Sequence, residues 1–487
     1  MTENFRKYQD DIMVFITAVL ALVIVYGYEL THFTMSADEE FYDNYEQTIA
    51  LGRWGHALIR KFILPEPYAP FFTTLLSILF MALSVVVVAK TMKLLPKESV
   101  VLALFFVAMP QFAYQMQFSN QSDTVSLGIL SSCLATYLFI CRPLKKYILN
   151  HICAFFLLIL SLSIYQSIII IPLAVTIASY LISSEKISIS KTIKSLSLLL
   201  MLIVLSSIAY ELISTLFPKS SDAGFNSYYS SQIKWVHQGL YKCLDDVYNS
   251  EKSFFDGKSP YALNYYMLAL LSLPCILVSG VFRQKSLRII LAVALLFLPF
   301  SFNLALGGYQ PARVLVAMSF SFSFLALVVL RSFDKTKVMV GLGLILVLCS
   351  SANVSRMFYS DYMSQQADIA LANKIMNDIH LLYPSYVDGV TPIYFFGGLY
   401  RKDAWFIDNA ETFGVSFFTW GGGDNKRIRN FMAVNSIARI KTESDVNAIR
   451  SIFKAMQNAP AYPSTSAIKM VDGVMAVKLG DPWTAAP

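Results

Sequence analysis

The chain reads as an α-helical polytopic membrane protein with about eleven transmembrane helices and a small C-terminal α/β domain. Three observations predict this class. Of 487 residues, 56% are hydrophobic and only 15% are charged, with mean hydropathy +0.54, whereas soluble domains carry about 25% charged residues. Apolar stretches of the roughly 20 residues that a bilayer demands recur down to position 353. Beyond it, hydrophobicity drops and the periodicities of a water-soluble fold appear.

Taken in order, the spans are predicted at 12–31, 70–90, 99–118, 124–141, 147–165, 167–183, 195–217, 262–282, 287–306, 313–331 and 336–353. The first is too long for a signal-peptide core and lacks a small-residue cleavage site, so it is expected to be retained. Basic residues alternate along the connections. Arg6 and Lys7 precede the first span, and Lys90, Lys93 and Lys97 follow the second. Arg142, Lys145 and Lys146 follow the fourth, Lys186, Lys191 and Lys194 the sixth, Arg283, Lys285 and Arg288 the eighth, and Arg331, Lys335 and Lys337 the tenth. The third and fifth connections contain no Lys or Arg. The positive-inside rule then places the N-terminus in the cytoplasm. Residues 1–353 form the membrane domain, with external loops 32–69 and 218–261, and 354–487 form an external domain.

In that external domain, 361–382 and 446–456 carry helical apolar stripes. Residues 391–396 read as a buried strand, and Asp472-Gly473 between 468–471 and 474–477 is a hairpin turn. No internal repeat is apparent, which argues against transporters built on inverted repeats. The net charge of +7 is topology information carried by the connections and does not point to nucleic acid. The six cysteines lie mostly in apolar runs without a C-x-x-C pair, so neither a disulfide framework nor a zinc site is indicated. No His pair has ligand spacing, and the acids alone make a poor cage for a divalent ion. No metal and no cofactor are expected.

The chemistry is expected in the polar run 32–43, where Asp38, Glu39, Glu40 and Asp43 follow directly on the first span. Charge beside hydrocarbon is costly unless it is used. Two readings fit the triplet. If a helix starts with Ser36 as N-cap, the acids favour its dipole; alternatively one carboxylate is a general base whose pKa is raised at a partly dry surface. Residues 39–62 are predicted to continue as a helix along the membrane surface, with Phe41, Tyr45, Ile49, Leu58 and Phe62 as its apolar stripe. Arg53, His56, Arg60 and Lys61 lie on this stretch, where they suit either a lipid-linked phosphate or ordinary head groups. Arg313 opens the tenth span, as an anion partner or a snorkelling cation. Tyr165 and Gln166 end the fifth, as hydrogen-bond partners of a sugar or as interhelical glue. In the external domain Trp420 offers a sugar-stacking face and Arg401 a rim position, against the alternative of an ordinary core. The run Gly421-Gly422-Gly423 lacks the Gly-Lys-Ser/Thr spacing of a nucleotide phosphate loop.

An acid triplet in the first external loop followed by Gly52-Arg53-Trp54-Gly55, together with Tyr165-Gln166-Ser167 and Pro311-Ala312-Arg313-Val314-Leu315 at external span ends, resembles the type II O-antigen glucosyltransferases. These are phage-borne serotype-converting enzymes of enteric bacteria. The resemblance implies a GT-C type, inverting, metal-independent enzyme of the bacterial inner membrane. It would take glucose from undecaprenyl phosphate on the periplasmic side and attach it to lipopolysaccharide O-antigen. It further implies a companion flippase and a donor-synthesising transferase as partners, besides the lipid bilayer. By carry-over the base is Asp38, Glu39 or Glu40, with Glu40 narrowly favoured. Arg53, His56 and Arg313 would hold the donor phosphate, and Tyr165, Gln166, Arg401 and Trp420 the sugars. An O-antigen polymerase, another polyprenyl-dependent transferase, or a lipid-linked sugar transporter are the alternatives. The near absence of mid-span charge, Glu211 excepted, favours chemistry at one face over passage.

Overall fold

In the computed structural model, residues 2–41, 44–64, 66–183, 186–217, 233–400 and 404–481 are described. They are mostly helical, with one small sheet near the C-terminus. Among the described residues seven helices are long and apolar enough to cross a membrane: Tyr8–Thr31, Pro70–Thr91, Ser122–Cys141, Tyr147–Ile164, Ile189–Ser214, Lys285–Leu306 and Thr336–Leu382. A bent pair, Pro96–Ala108 with Pro110–Met116, makes up to eight. The other three expected spans are the shorter apolar helices Gln166–Leu181, Leu263–Val278 and Ala317–Phe333. All eleven apolar stretches are therefore helical, but by length and composition the structure supports seven or eight spans. Several long apolar helices make this a membrane-embedded protein.

The chain divides into two compact units. The first comprises Met1–Thr31 and Asp43–Ser355, and the second His32–Tyr42 and Arg356–Pro487. The acidic run is thus grouped with the C-terminal residues and not with the helices that flank it in sequence.

In the first unit α1 (Thr2–Thr31), α2 (Tyr45–Ala50) and α3 (Trp54–Phe62) precede α4 (Pro70–Thr91) and α5 (Pro96–Ala108). After α6 (Ala113–Met116) come α7 (Ser122–Cys141), α8 (Tyr147–Ile164), α9 (Ile171–Leu181) and α10 (Ile189–Ser214). Helices α4 and α7 pack together and each buries small hydroxyl residues, Thr73, Thr74, Ser77 and Ser84 in one and Ser126, Ser131 and Ser132 in the other. Small side chains let membrane helices approach closely, and the Ser77–Ser122 hydroxyl pair at 3.1 Å adds a hydrogen bond. Pro110 breaks the helix after α5 by 41° because it has no N–H to donate. Carbonyls at the break are served by side chains, Ala108 by the Ser350 hydroxyl and Met109 by that of Ser319 at 3.1 Å, as an apolar medium requires.

The expected surface helix over 39–62 is broken, and no helix starts at Ser36. Ala37 and Asp38 form a turn, with Asp38 at φ +75°, and helix begins only at Tyr45. It stops at Ala50, where Gly52 takes φ +69°, and resumes at Trp54. A Cβ on Gly52 would lie 2.5 Å from the Tyr210 hydroxyl, so both conformation and space demand glycine there.

The second unit holds a four-stranded sheet of order β2-β1-β4-β3, from β1 (Pro392–Phe396), β2 (Lys441–Thr442), β3 (Ile468–Val471) and β4 (Val474–Lys478). Strand β1 runs parallel to β2 and β4, and β3–β4 is the expected hairpin. Its turn residues Asp472 and Gly473 both have positive φ, the requirement of a tight two-residue hairpin. Helix 446–456 is present, and the helix expected over 361–382 is the end of the continuous Thr336–Leu382. The core gathers Ala372, Ile375 and Ile379 of that helix with Ile393, Phe395, Phe418, Phe431 and Val477. Met35 belongs to the same core and Phe33 packs against it. Two apolar side chains within an otherwise polar run therefore anchor 32–42 to this unit.

Candidate active site

The three adjacent acids fall into different roles once the backbone is placed. Glu39 folds back on the turn: its Oε2 accepts the Ser36 N–H at 2.7 Å and the Ser36 hydroxyl at 3.0 Å. That carboxylate is committed to holding the loop. Asp38 and Glu40 instead share one guanidinium. Arg427 donates from Nη2 to Asp38 Oδ1 at 2.8 Å and from Nη1 to Glu40 Oε1 at 2.6 Å. The Glu40 side chain is fully buried and the Asp38 side chain is 42% exposed. The second oxygen of Glu40, Oε2, is buried without a hydrogen-bond partner among the described residues. Burial pushes the Glu40 carboxyl up to about 7 against the opposing pull of Arg427.

Arg427 is held by local chemistry that the sequence displays. Asp424 caps the helix Asn425–Val434, accepting the N–H of Lys426 at 2.8 Å and of Arg427 at 3.2 Å. The cap fixes the first turn and hence the direction of Arg427. The loop before it is tied to the long helix, where Asp368 accepts the Ser416 hydroxyl and the Phe417 N–H at 2.6 and 2.7 Å. Asp361 takes the Gly414 N–H at 2.5 Å. Trp420 follows on this loop, its ring centroid 5.8 Å from the Arg427 guanidinium carbon. A small crevice is lined by Met35, Ser36, Ala37, Asp361, Ser416 and Trp420. Trp420, expected to face sugar, thus stands with the acidic group. Arg401 lies outside the described residues, as do Tyr42 and Asp43.

A second polar cluster lies in the first unit. Arg60, 4% exposed, meets the fully buried Asp123 at 2.5 Å. His56 Nδ1 is 2.7 Å from the Thr124 hydroxyl, and Arg53 donates to Gln121 at 3.0 Å. Burial, and then the positive charges of Arg60 and Arg53, push the His56 ring down to about 3. His56 is therefore neutral, and it offers hydrogen bonds and no charge, unlike the cation expected from its place in the sequence. Arg53 Nε, Arg60 Nε and Arg60 Nη1 are buried donors without a hydrogen-bond partner among the described residues. Arg60 Nε also lies 3.9 Å from Glu66 Oε1, so two carboxylates, Asp123 and Glu66, face the two arginines.

The motif residues build this cluster. Gly55 packs so closely on α8 that a Cβ would lie 2.8 Å from Ser163 Cβ, and this close approach draws α3 onto α8. Trp54 stacks on Phe217 with centroids 5.7 Å apart. The Arg53 guanidinium carbon lies 4.6 Å from the Tyr165 ring centroid. Gln166 donates to the Leu51 carbonyl at 2.9 Å and Tyr210 to that of Gly52 at 3.0 Å. The amide nitrogen of Gln166 thus holds the turn that carries Arg53. Arg313 lies 5.0 Å from the Phe118 ring centroid, and Phe118 accepts the Gln121 N–H at 3.1 Å, so Arg313 borders the turn that contacts Arg53.

The reading of individual residues missed Arg427 and Asp123. Asp123 had a visible signal, since an acid amid Ser119–Thr124 at the head of an apolar stretch must find a partner. Arg427 had only the Asp424 cap beside it.

Among curated proteins, none matches the chain. The model of the glucosyl transferase GtrII family matches residues 27–259. That stretch contains the acid triplet, Gly52 to Gly55, Arg60, Asp123, Tyr165 and Gln166, and it ends before Arg313, Trp420 and Arg427. The match bears out the resemblance to type II O-antigen glucosyltransferases. Residues 27–259 are thus similar to the glucosyl transferase GtrII family, and that likeness supports a glucosyltransferase activity.

Proposed function

We propose that the protein is an inverting GT-C type transferase that moves glucose from undecaprenyl-phosphate glucose onto O-antigen units at the periplasmic face of the inner membrane. The observation that carries this reading is the Asp38–Arg427–Glu40 group with its unpartnered Glu40 oxygen. A buried acceptor without a donor costs about 1–3 kcal/mol, and the hydroxyl of an incoming sugar supplies the missing donor. A carboxyl near 7 suits proton abstraction at neutral pH. In the proposed step Glu40 takes the hydroxyl proton as the sugar oxygen bonds to the anomeric carbon. The bond from that carbon to the phosphate oxygen breaks, and the lipid phosphate leaves with the electron pair. It leaves as an anion and needs positive charge, not an acid. In this proposal Arg53 and Arg313 hold that phosphate, and the buried Arg53 Nε, which has no hydrogen-bond partner among the described residues, is a donor suited to it. Asp38 shares the guanidinium and, being exposed, lies on the acceptor side, where Trp420 offers a stacking face. Serotype conversion would be the consequence for the cell.

The test is transfer of labelled glucose from synthetic polyprenyl-phosphate glucose to O-antigen in membranes containing the protein. Glu40→Gln is expected to lose about a hundredfold or more in rate, while Glu39→Gln, still able to accept from Ser36, retains most of it. Normal turnover in Glu40→Gln, or movement of the lipid-linked sugar across the membrane without transfer, would overturn the assignment.

A further inference from the structure

A cavity of about 470 Å³ lies in the first unit where α1 begins, α4 and α7 end and α5 begins. Its polar wall carries Asp10, Asp11, Lys90, Lys93, Ser99 and Tyr137, and its apolar wall includes Val14, Val86, Ala89 and Leu94. None of these residues belongs to either cluster above. Twenty-two residues of α4 separate this rim from the helix's first turn, about 33 Å at 1.5 Å per residue. The cavity therefore opens at the level of lipid head groups.

Its charges decide the ligand. Lys90 and Asp11 pair at 2.7 Å, which leaves Asp10 and Lys93 without an ion-pair partner among the described residues. Lys93 is exposed and held at φ +53° by the bend between α4 and α5. One free anion and one free cation on a single rim, above an apolar wall at the end of membrane-length helices, complement a molecule carrying phosphate, ammonium and hydrocarbon together. We propose that this cavity binds the head group of a zwitterionic phospholipid. Lys93 would meet the phosphate, Asp10 the ammonium, and Val14, Val86 and Leu94 the first methylenes. An anionic lipid would satisfy Lys93 but would set its charge against Asp10 without compensation.

The test is native mass spectrometry of the full-length protein released from nanodiscs of equal phosphatidylethanolamine and phosphatidylglycerol. Wild type should retain phosphatidylethanolamine at least fivefold over phosphatidylglycerol. Asp10→Asn should abolish that preference, and Lys93→Gln should lower retention of both lipids. Lys145→Gln, an exposed lysine outside the cavity, should change neither. Equal retention of both lipids by wild type, an unchanged preference in Asp10→Asn, or undiminished retention in Lys93→Gln would overturn the proposal. Displacement of the lipid by free phosphoethanolamine at equal concentration would also overturn it, because the apolar wall would then contribute nothing.

Discussion

Replacing Arg427 by Gln tests the electrostatic logic of the acidic group most directly. The substitution removes both short contacts, 2.6 Å to Glu40 and 2.8 Å to Asp38, and leaves two carboxylates with no cation between them. Glu40 is fully buried, so water cannot replace the lost charge. A hydrogen bond to a charged group contributes about 1.5–3 kcal/mol, which corresponds to a roughly ten- to hundredfold smaller ionised fraction of Glu40 at pH 7. A base must be deprotonated to act. In wild type, kcat/KM should therefore rise with pH through a midpoint near 7, the value to which burial pushes Glu40. In Arg427→Gln that limb should move to higher pH, with activity at pH 7 down about ten- to hundredfold and partly recovered at alkaline pH. Arg427→Lys keeps the charge but cannot bridge both acids with a planar fork, and should fall between the two. The assay is the glucosyl-transfer rate across pH 5.5 to 9. A loss of equal size at every pH would mean that Arg427 supports the fold alone, and an unmoved midpoint would refute Glu40 as the titrating base.

Two further outcomes follow from the same geometry. Because the Glu40 carboxyl rises from its ordinary 4.5 to about 7 on folding, the folded chain holds one more proton than the unfolded chain between these values. Stability is therefore lost as pH rises through that window, by about 3 kcal/mol once it is passed. Glu40→Gln should accordingly unfold at higher temperature than wild type at pH 8 and at the same temperature at pH 4; lower stability at pH 8 would refute this. Gly55→Ala forces a methyl to within 2.8 Å of Ser163 Cβ and should cost about 1–3 kcal/mol, seen as a lower melting temperature in detergent. Gly27→Ala, whose nearest neighbour would lie at 3.6 Å, should be tolerated.

What could be read from the chain differs by element. The hairpin around Asp472-Gly473, strand β1 and the helix Val446–Met456 were legible because each is specified by a local pattern of alternation, helical stripe or turn chemistry. The continuous surface helix expected over 39–62 does not form. Gly52, at φ +69°, stands inside the apolar stripe as a breaker, and a stripe alone does not show it. The eleven apolar stretches were legible because apolarity is local, but the length of each helix was not. Pro110 splits one stretch, and three others fold as helices too short to qualify alone. His56 was read as a cation because sequence shows a residue's type and not its burial.

Composition alone was enough for the membrane-embedded class of this protein, and the charge pattern marked the acidic run that we propose carries its chemistry. A chain with this little charge has to shelter its helices in lipid, and three consecutive acids beside a membrane-length segment are costly unless paired or used. Which acid is available, and what it is paired with, only the tertiary structure decided. Glu40 and Arg427 are 387 positions apart, and Met35 finds its Gln365 partner across 330, so no local period connects them. Adjacent residues of one polar run are sorted by burial and hydrogen bonding: Glu39 turned inward on Ser36, Asp38 left at the surface, Glu40 enclosed with one oxygen unmatched. Those are properties of the folded surroundings, and they do not exist until distant segments have packed.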